Sequence, residues 1–233
     1  MSDFSNRTVV VTGGTGALGS AVVDVLLKAG ARCVVPYRDE HDAGNFAHRD
    51  HKQVSLVAVK DLSDEGDVAK LYNGIAPLWA SIHIAGGYLW APIGDTDKAA
   101  LLKQLNMNVV SAFLCCRAAI KAMGGNGGRI VNVAARQALE WRLGASQSAY
   151  GASKAAVAAM TAALAEEVAK DGILVNAVAP SIMDTAVNRK DMPKADFDKW
   201  PKVEEVAQTI LFLASPDNRV TRGAIVPVYG KSS

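Results

Sequence analysis

The stretch Thr12-Gly13-Gly14-Thr15-Gly16-Ala17-Leu18-Gly19 decides the fold that we predict for this chain. It follows a β-branched apolar run and opens a segment with helical period, residues 17–28. Gly14, Gly16 and Gly19 fit the spacing G-x-G-x-x-G. Between a strand and a helix, glycines at this spacing let the backbone approach a pyrophosphate, whose charge the helix N-terminus stabilises. The residues predicted to contact such a dinucleotide are Gly13, Gly14, Thr15, Gly16, Ala17 and Leu18.

Short β-branched runs alternate with alanine- and leucine-rich segments along the whole chain. The predicted strands are residues 7–12, 32–36, 54–60, 78–85, 129–133, 174–179 and 224–228. The predicted helices are residues 17–28, 65–72, 99–123, 149–170 and 203–214. Nearly continuous apolar strands are typical of a parallel sheet that helices cover on both faces. We therefore predict a single α/β domain over residues 1–233, with a doubly wound, Rossmann-type parallel sheet of about seven strands.

The composition excludes several classes of protein. The 233 residues are 50% hydrophobic and 21% charged, which is enough apolar sequence to bury a core. The 25 basic and 23 acidic residues give a net charge of +2 with no basic block, so we expect no nucleic-acid partner. Cys33, Cys115 and Cys116 do not make the paired framework of a small secreted protein. We also expect no metal, no signal peptide and no membrane span, and therefore a soluble, cytoplasmic protein with a small-molecule substrate.

The residues at the end of the second predicted strand indicate which dinucleotide is bound. An NAD site usually carries an acidic residue about 20 residues after the glycines, but this chain has Tyr37 and Arg38. A guanidinium pairs with a 2′-phosphate and stacks on adenine, whereas a carboxylate would repel that phosphate. We therefore predict NADP(H) in preference to NAD(H), although the acidic residues at 39 and 40 leave a displaced partner open. Asp61, followed by Leu62, is a candidate acceptor for the adenine amino group, with helix capping as the alternative.

The segment Tyr150-Gly151-Ala152-Ser153-Lys154 opens a long alanine-rich helix. A spacing of four places Tyr150 and Lys154 on one face of that helix, one turn apart. A phenol has a pKa near 10 and becomes an effective acid or base at neutral pH when a nearby ammonium stabilises its phenolate. We therefore expect Lys154 to lower the pKa of Tyr150. The same spacing is common in helices without a catalytic role, so the pair alone does not establish a site.

A strand, a glycine turn, a helix and a later Y-x-x-x-K motif together resemble the short-chain dehydrogenase/reductase family over essentially the whole chain. Segments 61–62, 85–86, 106–113, 129–133 and 176–180 fit the same pattern. The resemblance implies that Tyr150 exchanges a proton with the substrate, that Lys154 also binds the nicotinamide ribose, and that Asn108 holds a relay water. The further cofactor contacts that it implies are Ala85, Gly86, Gly87, Asn108, Tyr150, Lys154, Pro180, Ile182 and Thr185. It also implies a homodimer or homotetramer built through the helices that carry Asn108 and Tyr150.

Two positions depart from the family pattern. His83 stands where an asparagine is usual, and we expect a hydrogen-bonded core histidine there rather than a catalyst. The serine that normally follows the fifth strand is absent, because this chain reads Val133-Ala134-Ala135-Arg136-Gln137. That hydroxyl would hold and polarise a substrate carbonyl, so another donor serves, the substrate needs less polarisation, or the protein is inactive. The candidate substitutes are Gln137, Ser146 and Ser148.

The dihydropteridine reductase branch of the family also lacks the serine, and this chain resembles that branch most. The most specific similarity is in residues 184–200, DTAVNRKDMPKADFDKW. This polar segment follows the sixth predicted strand, so we expect a substrate loop that borders the ligand crevice. Tyr88, Trp90 and Trp141 are candidate aromatic walls of the substrate pocket. The branch typically carries an acidic residue where this chain has Arg38 and prefers NADH, which conflicts with the prediction of NADPH.

The residues together predict an NADPH-dependent oxidoreductase that transfers hydride to an oxidised, planar substrate, such as a quinonoid dihydropterin, with Tyr150 as the proton donor. Such a substrate is electron-poor and accepts hydride readily. Two other functions fit the same residues: a carbonyl or 3-oxoacyl reductase with a replaced serine, and a catalytically silent NADP(H)-binding sensor. The retained Tyr150 and Lys154 argue against the sensor, which has no need of a tuned phenol.

Overall fold

The structure, a computed structural model, describes residues 3–232. The strands are β1 (Thr8–Thr12), β2 (Arg32–Tyr37), β3 (Val54–Ala58), β4 (Ala80–His83), β5 (Gly128–Val133), β6 (Ile173–Pro180) and β7 (Ile225–Val228). The α-helices are α1 (Ala17–Lys28), α2 (Glu40–Gly44), α3 (Glu65–Tyr72), α4 (Lys98–Leu105), α5 (Ser111–Met123), α6 (Ser148–Glu167), α7 (Ala186–Asp191) and α8 (Val203–Ala214). The 3₁₀ turns are Ile93–Asp95, Arg136–Ala138, Trp141–Gly144, Ala169–Asp171 and Phe197–Lys199.

The strands lie parallel in one seven-stranded sheet, in the order β3-β2-β1-β4-β5-β6-β7. The chain moves outward from β1 to β3 and then crosses back to place β4 on the other side of β1. The order therefore reverses between β1 and β4, the place where doubly wound sheets bind ligands beyond the carboxyl ends of their strands. The prediction of a Rossmann-type parallel sheet of about seven strands is confirmed.

Alternate residues of the central strand face two different helical layers. Val9 and Val11 of β1 belong to a buried cluster that includes residues of α1 and α8, whereas Val10 belongs to a second cluster that includes residues of α3 and α5. Both faces of the sheet are therefore covered, which explains why the strands read as nearly continuous apolar runs. The two layers leave the carboxyl edge of the sheet open to the loops that follow each strand.

The helix predicted over residues 99–123 contains an interruption that its sequence pattern does not show. A π-helical turn, Asn106–Val110, joins α4 to α5. A π turn closes its hydrogen bonds over five residues and inserts an extra residue into the helical ladder, often at a functional site. Asn108 lies within this turn and is 2% exposed.

The stretch Lys98–Met123 has the length and hydropathy of a membrane span, with a mean hydropathy of 1.3 over its most apolar window. Part of its apolar surface belongs to the core, because Leu114 and Met123 are buried against α3 and the sheet. Its other face leaves Leu102 and Phe113 45% and 51% exposed. The stretch is a core helix of this fold, and its exposed face is taken up below.

Ile82 of β4 is fully buried between the two layers. We expect Ile82→Ala to lower the free energy of unfolding by about 2–5 kcal/mol, because it leaves a cavity in a close-packed core. Ile93→Ala is the matched control, since Ile93 is 79% exposed, and it should change the free energy of unfolding by less than about 0.5 kcal/mol. Denaturant unfolding of the full chain measures both variants. Equal losses would contradict a central position for β4.

Candidate cofactor and active site

The glycine turn after β1 is shaped partly for the protein and partly for a ligand. A methyl group on Gly19 would lie 2.0 Å from the carbonyl oxygen of Gly13, so the turn closes only with glycine there. A methyl group on Gly16 would meet nothing in the protein closer than that same carbonyl at 3.4 Å. Gly16 therefore leaves free a space on the ligand side of the turn. That space fits the approach of a pyrophosphate to the backbone.

The N-terminus of α1 is aimed at the same space. Its N-cap residue is Gly16, which offers no side-chain cap, and its first turn carries no acidic residue. The first amides of a helix have no partner within the helix, and they carry the positive end of the helix dipole. A diphosphate is the group that this uncapped end fits.

A cleft of about 380 Å³ runs from this turn across the carboxyl ends of β1, β2 and β3. The predicted cofactor residues that line it are Gly13, Thr15, Gly16, Ala17, Leu18, Tyr37, Arg38, Asp61, Leu62, Ala85 and Gly86. Gly14 does not line it, because Gly14 packs inward against the Val35 side chain. Pro36, Lys60 and Ile84 also line the cleft, although the sequence pattern did not predict them. These three residues lie at or just after the carboxyl ends of β2, β3 and β4. Ligands of doubly wound sheets bind beyond those ends, and this general property could have identified the three residues.

Arg38 lies at the end of the cleft formed by β2. Within residues 3–232 its guanidinium makes no hydrogen bond or ion pair. The acidic residues beside it are engaged elsewhere: the Asp39 carboxylate caps α2 by accepting from the His41 amide at 2.8 Å, and Glu40 accepts from the Tyr37 hydroxyl at 3.1 Å. The cleft therefore presents an unpaired guanidinium at Arg38, with the carboxylate of Asp42 also in its wall.

Asp61 lines the cleft and also organises its own loop. Its Oδ1 atom accepts from the Ser63 amide at 2.8 Å and from the Ser63 hydroxyl at 2.7 Å. Helix capping does not describe Asp61, because Asp64 is the N-cap of α3 and accepts from the Asp67 amide at 2.9 Å. Lys60 beside it makes no hydrogen bond or ion pair with the described residues, and its position next to Arg38 follows from the pairing of Tyr37 with Ala58.

A second cleft, of about 260 Å³, continues from the first at Leu18, Ile84 and Gly86. The predicted site residues that line it are Gly86, Gly87, Tyr88, Tyr150, Lys154 and Pro180. Their neighbours in its wall are Leu18, Ile84, Val133, Ala134, Ala135, Ser181 and Met183. The structure thus brings the glycine turn, Tyr150 and Lys154 together around one continuous groove.

Tyr150 stands edge-on to the ring of Tyr88, with centroids 4.9 Å apart. Its hydroxyl makes no hydrogen bond with the described residues. Burial, and secondly the nearby Tyr88 hydroxyl, raise the pKa of Tyr150 to about 12. The expectation that Lys154 lowers this pKa is not supported, because burial is the largest cause of the shift and the Lys154 ammonium is not among its causes. Tyr150 is therefore a protonated phenol at neutral pH, ready to donate.

Lys154 projects from α6 into the interior and is 7% exposed. Its ammonium donates to the Val133 carbonyl at 2.8 Å. Burial lowers the pKa of Lys154 to about 8. An ammonium with a single carbonyl partner and no carboxylate is costly to bury. Burial of Lys154 therefore lowers the free energy of unfolding.

Asn108 lines neither cleft, since its side chain clamps the backbone of Gly87. The Gly87 amide donates to Asn108 Oδ1 at 2.9 Å, and Asn108 Nδ2 donates to the Gly87 carbonyl at 3.0 Å. Nδ2 also lies 3.0 Å from Ser153 Oγ, which in turn donates to the Tyr150 carbonyl. The π turn therefore ties the loop after β4 to the first turn of α6. This amide positions the wall of the cleft rather than facing it.

The loop after β5 contributes no hydroxyl to the cleft. Ala134 and Ala135 line it where the family serine is expected. None of the three proposed substitutes reaches either cleft: Gln137 lies in a 3₁₀ turn, and Ser146 and Ser148 are exposed. Ser181 lines the second cleft instead, and the sequence analysis did not single it out. Its position directly after β6, at the same edge of the sheet, could have identified Ser181 as a site residue.

Large apolar side chains stand exposed on the loops that follow β4, β5 and β6. Tyr88, Trp90 and Ile93 are 59%, 62% and 79% exposed after β4. Trp141 is 78% exposed after β5, and its indole nitrogen donates to the Ala138 carbonyl at 3.0 Å. Of these, Tyr88 lines the second cleft, whereas Trp141 lines a separate pocket of about 420 Å³ formed by residues 139–143. The predicted walls Trp90 and Trp141 therefore lie on the outer surface of the same edge.

Residues 184–200 are folded back on themselves and line neither cleft within the described chain. Thr185 caps α7 by accepting from the Asn188 amide at 3.2 Å. Arg189 pairs with both oxygens of Asp184, at 2.5 and 2.8 Å, and lies over the ring of Phe197. The segment is an ordered lobe beside Met183, and Thr185 is not part of the wall of either cleft. Ile182 is 44% exposed and likewise lines neither cleft.

His83 belongs to a buried chain of hydrogen bonds behind the site. Its Nε2 atom lies 2.8 Å from Ser81 Oγ and its Nδ1 atom 2.8 Å from Asn132 Oδ1. Burial lowers the pKa of His83 to about 4, so the ring is neutral. Because Asn132 donates its amide to Thr161, its Oδ1 accepts and Nδ1 of His83 carries the proton. His83 is a structural histidine that fixes β4 and β5 beneath the cleft.

The buried ammonium of Lys154 predicts a measurable dependence of stability on pH. Its pKa is about 8 in the fold and 10.5 in its ordinary state. Between these values the native lysine is neutral and the unfolded lysine is protonated, so unfolding takes up a proton and the free energy of unfolding rises with pH. Relative to Lys154→Met, the free energy of unfolding of the native chain should rise by about 1–2 kcal/mol between about pH 7.5 and 9.5. Denaturant unfolding at both pH values measures this difference, and parallel behaviour of the two proteins would contradict it.

The chain is similar in sequence and in fold to known oxidoreductases. Residues 7–196 match the family described as short chain dehydrogenase. Galactitol 2-dehydrogenase of Rhizobium johnstonii is 35% identical over 97% of this chain and 94% of its own length. A cis-4-hydroxycyclohexanecarboxylate dehydrogenase of Sinomonas cyclohexanicum is 31% identical over 97% of this chain and 96% of its own.

Two solved structures agree with this result. The structure of gox2181 matches with a TM-score of 0.90 at 29% identity, covering 97% of this chain and 95% of that one. ElxO with NADP bound matches with a TM-score of 0.87 at 26% identity, covering 99% of this chain and 98% of that one. The chain belongs to the short-chain dehydrogenase family and is an NAD(P)-dependent oxidoreductase.

Proposed function

We propose that this chain uses NADPH to reduce a planar, electron-poor substrate, with Tyr150 as the proton donor. The observation that carries this proposal is the make-up of the second cleft. It offers a protonated Tyr150 hydroxyl that no described residue engages, and alanines 134 and 135 where a serine would polarise a carbonyl. A substrate that accepts hydride without strong polarisation fits such a site.

The free guanidinium of Arg38 supports NADPH as the cofactor. A guanidinium can form two parallel hydrogen bonds with a 2′-phosphate. The ribose hydroxyls of NADH would leave the guanidinium without a counter-charge. Asp39 and Glu40 do not supply the carboxylate that an NADH site needs, because both are engaged by α2 and Tyr37. The neighbour ElxO was solved with NADP bound, which is consistent with a phosphate-bearing dinucleotide in this fold.

Different residues of the chain would have different roles around the bound cofactor. The glycine turn and the N-terminus of α1 would hold the diphosphate, and Lys154 would hold the ribose next to the nicotinamide. The nicotinamide supplies the hydride when it is bound. Tyr150 holds the proton at its hydroxyl oxygen and passes it to the substrate atom that gains charge. A pKa near 12 keeps Tyr150 in the donating form throughout the physiological range.

A quinonoid dihydropterin is the substrate that we propose. It is planar and electron-poor, so the Tyr88 ring beside Tyr150 offers it a stacking surface. The similarity of residues 184–200 to the dihydropteridine reductase branch and the missing serine support this choice. The named relatives act on galactitol and on a hydroxycyclohexanecarboxylate, and a carbonyl or 3-oxoacyl reductase is the second candidate. A silent NADP(H)-binding sensor is disfavoured, because it would have no use for Tyr150 and Lys154 in one cleft.

A homodimer or homotetramer is also part of this proposal. The exposed face of α4 and α5 carries Leu101, Leu102 and Phe113, which are 38%, 45% and 51% exposed. An apolar face of this kind on a helix pair is typical of a subunit contact. Burying it would also explain why a stretch as apolar as Lys98–Met123 occurs in this fold.

Arg38→Ala tests the cofactor assignment. We expect the dissociation constant for NADPH to rise about 10- to 100-fold, because a charge-assisted hydrogen-bonded pair is lost. The dissociation constant for NADH should not change. Arg32→Ala is the matched control, since Arg32 lies at the opposite end of the same strand and donates to the Asn6 carbonyl. Titration of both cofactors measures these constants; equal binding of the two, unaltered in the Arg38 variant, would refute the assignment.

Tyr150→Phe tests the proton donor. We expect NADPH oxidation with quinonoid dihydropterin to fall about 10²- to 10⁴-fold, because general acid catalysis is removed. NADPH binding should be retained, which shows that the cleft is intact. Turnover at the native rate in the variant would remove Tyr150 as the donor. Binding of NADPH to the native chain without turnover of the pterin or of simple carbonyls would favour the sensor.

A further inference from the structure

Ser181 contributes an aliphatic hydroxyl to the wall of the second cleft. It follows β6 directly and lines the cleft together with Tyr150, Lys154 and Tyr88. It lies on a different strand end from the alanines that stand in place of the family serine. The question is therefore which hydrogen-bonding role this hydroxyl offers to a substrate.

The single proton of Ser181 is already committed to the protein. Ser181 Oγ donates to the Tyr229 carbonyl at 3.0 Å, with Ser232 Oγ a second acceptor at 3.4 Å. Ser232 cannot reverse that direction, because its own proton goes to the Lys199 carbonyl at 3.1 Å. A serine hydroxyl has one proton and two lone pairs. Ser181 is thus left with lone pairs, and it can act towards a ligand as an acceptor.

Of the other polar side chains in the cleft wall, Lys154 can only donate, whereas the hydroxyls of Tyr88 and Tyr150 can donate or accept. The Tyr150 phenol is protonated and makes no hydrogen bond with a described residue. The Lys154 ammonium has no acceptor capacity and donates to Val133. The remaining side chains of the wall are mainly apolar, with Leu18, Ile84 and Met183 among them. Among the described hydroxyls of this wall, Ser181 is the one whose proton is already given to a protein carbonyl, so towards a ligand it acts as an acceptor beside the Tyr150 donor.

We propose that Ser181 accepts a hydrogen bond from an N–H group of the substrate, so that the site selects a heteroaromatic ring with an amide or amidine edge over a carbocyclic ring of the same shape. This inference rests on the proposed function and names its specificity-determining residue. A plain quinone or ketone has acceptors and no donor, so it would leave the Ser181 lone pairs unpaired inside the cleft. Sites built around a hydrogen bond discriminate strongly against ligands that lack it.

The role proposed for Ser181 differs from the role of the serine that is missing after β5. A family serine would donate towards a substrate carbonyl, whereas Ser181 receives a proton that stays on the substrate nitrogen. No bond is broken and no charge moves at Ser181. Its effect therefore belongs to substrate binding, with hydride transfer and protonation left to the cofactor and Tyr150.

The test measures ligand binding to the full chain saturated with NADP⁺. The two probes are pterin, which has N–H donors, and naphthoquinone, which has none; the variants are Ser181→Ala and the conservative Ser181→Thr. We expect Ser181→Ala to weaken pterin binding about three- to tenfold, the effect of one neutral hydrogen bond, and to leave naphthoquinone binding unchanged. Ser181→Thr should restore pterin binding, because it keeps the hydroxyl.

Two results would overturn the proposal. One is an equal effect of Ser181→Ala on both probes, which would show a structural change of the cleft. The other is pterin binding that is absent or does not depend on Ser181. Steady-state turnover of quinonoid dihydropterin completes the comparison: we expect Ser181→Ala to raise KM with little change in kcat. Pterin binding that depends on Ser181 without any NADPH oxidation would refute the proposed function and leave the Ser181 inference standing.

Discussion

Parallel pairing of the strands is the constraint on which the rest of the structure depends. Because all seven run in the same direction, their carboxyl ends meet at one edge of the sheet. Arg38, Ala134, Pro180 and the glycine turn are distant in sequence, yet each follows a strand and reaches that edge. The reversal of order between β1 and β4 opens the groove there. The order and direction of the strands thus bring the residues of the site together.

Burial sets the chemistry within that groove. Burial keeps Tyr150 protonated and makes it a weaker acid than a free phenol, and the same burial makes the Lys154 ammonium a cost to the fold. Neither effect needs a carboxylate partner. The site therefore gives up stability for reactivity, a common arrangement where a catalytic group must be held in an apolar setting. The clamp of Asn108 on Gly87 and the neutral His83 chain hold the surrounding backbone against that strain.

Features encoded by neighbouring residues could be predicted from the sequence. The glycine turn, the Tyr150–Lys154 spacing and the alternation of strands and helices are local patterns, and the confirmed sheet followed from them. Features that depend on distant contacts could not be predicted. The pKa of Tyr150 depends on burial against Tyr88, and the role of Ser181 depends on the carbonyl of Tyr229. The π turn at Asn106–Val110 was not predicted, because its asparagines and valines are weak helix formers but do not distinguish a π turn from an α-helix.

We propose that this groove carries hydride from NADPH to a pterin ring. The most direct measurement is a single-turnover experiment in which the native chain, saturated with NADPH, is mixed rapidly with quinonoid dihydropterin while nicotinamide absorbance is followed. We expect the absorbance of the reduced nicotinamide to fall in a single decay, which is slower when the transferred hydrogen is deuterium. Persistence of the reduced nicotinamide in a chain that binds both ligands would contradict it.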